Sequence, residues 1–78
     1  SAQRLDATER CRAALTLAVA LGAAGRPADA LLEALDALAR AREAQDSRGE
    51  HAAARFLAQL NEATGHDDLA REWRALGP

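Results

Sequence analysis

The sequence has 78 residues, 49% of them hydrophobic, with ten basic residues, all arginine, against twelve acidic ones and a net charge of −2. A chain of this length is one domain that withdraws only about 60% of its unfolded surface from water, so modest stability is expected. The absence of a concentrated basic patch argues against nucleic acid as a partner, and the absence of an apolar run of roughly 18 residues or a lipidation motif argues against a membrane partner.

Twenty-two alanines and twelve leucines, with β-branched residues confined to Val19, Thr8, Thr16 and Thr64, predict an all-α fold. Helix 1 is predicted from a cap at Asp6 with Glu9 at its third position, or from nearer Ser1, to Ala24. Gly25 then supplies a left-handed C-terminal cap, and Pro27 opens helix 2, where its missing N–H costs nothing. Helix 2, "PADALLEALDALARAREAQ", carries a stripe of Leu31, Leu35 and Leu38 beside a ridge of Ala30, Ala34, Ala37 and Ala41, which lets another helix approach closely. Ser47 and Glu50 have capping-box spacing, which starts helix 3 near Arg48 and leaves Gly49 in its first turn. Ala53, Phe56, Leu57 and Leu60 point inward, and Thr64-Gly65 ends the helix. His66 or Asp67 caps helix 4, with Leu69, Trp73 and Leu76 as its stripe and Gly77-Pro78 as its stop. Asp36 with Arg40 and Asp67 with Arg71 stand at ion-pair spacing. Short turns make consecutive helices antiparallel, giving two helix-turn-helix hairpins over about 6–45 and 48–76.

Shifting the chain by 40 residues superposes Ala13, Ala14, Leu17, Ala18, Ala23, Gly25 and Ala30 on Ala53, Ala54, Leu57, Ala58, Ala63, Gly65 and Ala70. Five of these matches are alanine; the matched glycines, each at a helix turn, are the more telling. Read as Ala14, Leu17, Ala18, Leu21, Gly25, Ala30, Ala34 and Ala37, then Ala54, Leu57, Ala58, Asn61, Gly65, Ala70, Arg74 and Gly77, the chain resembles the tetratricopeptide repeat family over residues 12 to 76. Asn61 and Arg74 stand where that family has large apolar residues, and the 40-residue spacing exceeds its usual 34. The resemblance implies TPR-like right-handed superhelical stacking of the hairpins; a closed four-helix bundle is the alternative.

Catalytic chemistry finds little support. No Ser, His and acid arrangement, phosphate loop or paired-carboxylate pocket is discernible, and Cys11, His51 and His66 lack ligand spacing, so neither enzyme activity nor a cofactor or metal is expected. Cys11, one and two turns before Leu15 and Ala18, reads as a small buried hydrophobe. A lone cysteine excludes an internal disulfide and fits a reducing, cytoplasmic compartment. "QDSRG" shares an Asp-Ser dipeptide with acyl carrier proteins, yet Arg48 replaces their hydrophobic residue and helix capping accounts for Asp46, Ser47 and Glu50.

The preferred expectation is a protein-interaction scaffold that binds a peptide or helix in a concave groove. The resemblance puts Arg12, Leu15, Val19 and Ala23, then Ala52, Arg55, Gln59 and Glu62, on that groove, with Arg12 and Arg55 set to pair carboxylates. An ordinary solvated face accounts for the same residues. Trp73 packs inward against Phe56 and Leu60, or marks an uncovered docking face for a partner or a further repeat. The alternative is structural: an oligomerisation or spacer module that self-associates weakly or stacks on further repeats. The missing initiator methionine suits a processed product or a piece of a larger protein.

Overall fold

The computed structural model describes the backbone of residues 2–75 and the side chains of residues 7–75. It is all-helical, without strands among the described residues: α1 (Ala2–Ala23), α2 (Pro27–Glu43), α3 (Ser47–Ala63) and α4 (Asp67–Arg74). Alanine and leucine sustain these runs because they lose little side-chain freedom in a helix.

Every interruption has the same stereochemistry. Gly25, Gln45 and Gly65 have φ of 77°, 54° and 83°. The amide that follows each reaches back to a carbonyl of the last helical turn: Arg26 to Leu21 at 2.9 Å, Asp46 to Ala41 at 2.8 Å and His66 to Asn61 at 2.6 Å. These are Schellman turns, which satisfy carbonyls that a helix end would otherwise orphan. They recur every 20 residues, so the 40-residue similarity contains two copies of a shorter structural period.

This middle turn corrects the predicted start of α3. Asp46, not Ser47, is the cap: its Oδ1 accepts a hydrogen bond from the Gly49 amide at 3.1 Å, and Ser47 is the first helical residue. Gly49 is needed because a Cβ there would lie 2.7 Å from Asp46 Oδ2 and 3.1 Å from the Ala41 Cβ. Asp6 likewise lies inside α1, since the helix-forming residues before it continue the helix to Ala2. His66 occupies the cap position of α4 without a side-chain cap hydrogen bond. Leu76, Gly77 and Pro78 of the predicted fourth stripe and stop lie outside the described residues.

The helices form an open array of roughly 40 × 27 × 13 Å. Helix α2 packs on both α1 and α3, α1 touches α3, and α4 meets α3 alone among the described residues. A closed bundle would seat α4 against α1, so the closed alternative is not the observed arrangement. The alanine ridge does what its spacing predicts: Ala30, Ala34, Ala37 and Ala41 are fully buried in α2, and Cys11, Ala14 and Ala18 of α1 with Ala53 and Leu57 of α3 complete the core. Leu38 belongs to this core, but Leu35 of the predicted stripe is exposed because the alanines bring the helices together on their own side. In α4 the buried residue is Ala70, whereas Leu69 is 44% exposed, since α4 has a neighbour on one flank only.

Candidate functional site

Helices α1 and α3 run beside one another and frame a depression of about 450 Å³. From α1 come Thr8, Cys11, Arg12 and Leu15; the α2–α3 turn adds Ala44, Gln45 and Asp46; the first turns of α3 add Arg48, Gly49 and Ala52. The turn at Gln45 therefore builds one wall. Cys11 forms part of the floor and is buried, and burial foremost pushes its thiol above the ordinary 9.0, with Asp46 and Asp36 adding to the rise and Arg12 opposing it. Such a thiol stays protonated at neutral pH and is a poor nucleophile.

The arginines divide by helix. Arg26 pairs with Asp29 at 2.6 Å, Arg40 with Asp36 at 3.6 Å and Glu43 at 3.7 Å, and Arg42 with Glu50 at 3.3 Å. Arg71 pairs with Asp68 at 2.7 Å, not with the expected Asp67, because the nearer partner lies three residues away on the same face. Arg74 pairs with Glu62. In contrast, Arg10 and Arg12 of α1 and Arg48 and Arg55 of α3 are exposed and have no carboxylate partner among the described residues.

Of the residues predicted from sequence, Arg12 and Leu15 line the depression together with Ala52. Val19, one helical turn beyond Leu15, is 52% exposed, and Arg55 and Gln59 are exposed on α3. At that end Phe56 approaches α1, its ring lying 3.5 Å from where a Gly22 Cβ would stand. Glu62 turns instead to α4, where it holds Arg74. Trp73 is partly buried against the core, the inward of its two expected positions. Sequence reasoning did not select Arg48 or Gln45; the 20-residue turn period, traced by aligning Gln45 with Gly25 and Gly65, is the signal that finds them.

Among the described residues no group of His, Cys, Asp and Glu is placed to hold a metal ion, and no helix is long and apolar enough to cross a membrane. No protein-family model matches the chain, and no curated protein or solved structure shows significant similarity to it.

Proposed function

We propose that this chain is a protein-interaction module of the tetratricopeptide-like kind, which takes a peptide or helix of a partner protein along the face shared by α1 and α3. The carrying observation is the pairing of the arginines: Arg12 and Arg48 line the depression and Arg55 follows Arg48 two turns along α3, none with a carboxylate partner among the described residues, while the arginines of α2 and α4 are neutralised within the domain. Arg10 likewise has no such partner but does not line the depression. Unpaired guanidinium groups beside an apolar floor of Leu15 and Ala52 suit a segment with carboxylates around an apolar anchor. The open array supports the same reading, because among the described residues α4 packs on α3 and not across α1.

Panning a library of random 12-residue peptides against the immobilised domain tests this. Enriched sequences should place Asp or Glu about an apolar residue. Arg55→Glu, alone or with Arg12→Glu, should abolish their binding while the circular dichroism spectrum stays helical; binding that survives both substitutions removes the α1–α3 face as the site.

Leu32, 67% exposed on α2, and its exposed neighbour Leu35 favour a second reading, self-association through the outer face of α2. Sedimentation equilibrium separates the two: a dimer that Leu32→Glu dissociates supports the structural role, and a monomer at high concentration removes it.

A further inference from the structure

A second concavity, of about 350 Å³, lies between the start of α2 and the α3–α4 turn, on residues that the α1–α3 face does not use. Its volume falls near the lower end of the range of small-molecule sites, roughly 300–1,000 Å³. Pro27 and Leu31 of α2, Leu60 of α3 and Leu69 of α4 form apolar walls. It exists because α4 packs on α3 alone, which leaves Leu69 exposed, and because Asn61 stands where the repeat pattern has a large apolar residue.

Asn61 is 5% exposed, and its Nδ2 donates to the Leu57 carbonyl at 2.8 Å. Its Oδ1 receives no hydrogen bond from the described residues. Since no buried side-chain oxygen or nitrogen among them lacks a partner, this oxygen must reach solvent, and Asn61 lines the concavity. The polar groups at the rim are engaged with one another: Thr64 Oγ1 lies 3.0 Å from His66 Nδ1 and also donates to the Leu60 carbonyl at 3.0 Å. With that hydroxyl proton directed to a carbonyl, the imidazole Nδ1 is left as the donor to Thr64 Oγ1. One acceptor on a residue that lines an apolar cleft therefore remains open, and an acceptor so placed rewards a ligand that supplies a donor and penalises one that does not.

We propose that this cleft is a second binding site, for a small planar ligand with an apolar body and a single N–H or O–H donor, of the indole or phenol class. The rings lie between Leu31, Leu60 and Leu69, and the donor meets Asn61 Oδ1.

Titration of the ¹⁵N-labelled protein with indole, and separately with indene, in which a CH₂ replaces the N–H, tests the site without any substitution. Indole should give saturable amide shifts at Leu31, Asn61, Thr64 and Leu69, and indene should bind about fivefold more weakly because it makes no hydrogen bond. Asn61→Ala should bring the two affinities together. The proposal is overturned if indole produces no saturable shifts up to its solubility, or if indene binds the unsubstituted protein as tightly as indole does. Should Asn61→Ala fail to fold, the ratio of the two ligands still decides.

Discussion

The arginines of α2 and α4 have an acid within reach, while Arg10, Arg12, Arg48 and Arg55 on α1 and α3 pair with none among the described residues. The contrast is largely one of spacing. Arg40 has Asp36 four residues before it and Glu43 three after, and Arg71 has Asp68 three before. At the corresponding positions Arg55 has His51, Ala52 and Ala58, and Arg48 has Ala44, Gln45 and His51. Arg12 has Glu9 three residues before it and still does not engage it. Exposed ion pairs stabilise a fold little, so this pattern teaches more about what the surface offers a partner than about what holds the helices together.

The most severe way to break the comparison is to remove the contacts that join the two sets of helices. Leu57 is fully buried among α1, α2 and α3 residues, and Leu57→Ala should cost about 2–5 kcal/mol, read as a lower urea midpoint in a single transition. Two separate transitions would show that the hairpins do not share one core. Filling the alanine ridge acts by the opposite means: Ala37→Leu places a larger side chain where the exposure is already zero and should cost about 1–3 kcal/mol in the same assay.

Charge reversal sharpens the contrast directly. For a peptide selected on this domain, Arg12→Glu should weaken binding at least about tenfold, as expected for loss of a charge-assisted hydrogen bond. Arg71→Glu, at a guanidinium already engaged by Asp68, should leave that affinity unchanged. Equal losses at both positions would mean that long-range charge, and not the α1–α3 face, governs binding.

Cys11 gives a pH-dependent test of how dry the floor of the depression is. Its folded-state thiol is pushed above 9.0, so at alkaline pH the unfolded chain gives up this proton first. The stability contributed by the buried thiol is therefore complete below about pH 9 and is lost as pH rises through the higher folded value. Urea midpoints should fall above pH 9, Cys11→Ala should flatten that fall, and thiol labelling of the folded protein should be slow at pH 7.

The smallest expected effect concerns the three turns. Gln45 adopts the left-handed conformation that Gly25 and Gly65 adopt without steric cost. Gln45→Gly should raise stability by about 0.5 kcal/mol, and Gly25→Ala should lower it by about 1 kcal/mol, both measurable by thermal unfolding.

The turns also mark how far local sequence reasoning reaches. Gly25 with Pro27 and Gly65 with its flanking polar residues announce their turns, and both fall where expected. At residues 45–50 two caps compete, because Asp46 and Ser47 are both good capping residues and Ser47 alone has Glu50 at the favoured spacing. Asp46 prevails because the left-handed Gln45 fixes the chain direction one residue earlier, and a single strained residue leaves no compositional mark. Among the candidate site residues, Arg12 and Leu15 follow from the repeat resemblance and line the depression, but the turn of Glu62 toward Arg74 depends on where α4 lies, which the pattern along α3 does not encode.

By itself the sequence determined the helices, their glycine-marked turns and the alanine ridge, since these rest on propensity and on periodicity within a single element. Only the tertiary structure decided that the array stays open, that Trp73 packs inward while Leu69 does not, and that Asn61 lines an apolar cleft. Those outcomes depend on which flank of each helix acquires a neighbour. In a chain whose buried positions are mostly alanine, several flanks are apolar enough to be covered, and close packing between backbones selects among them.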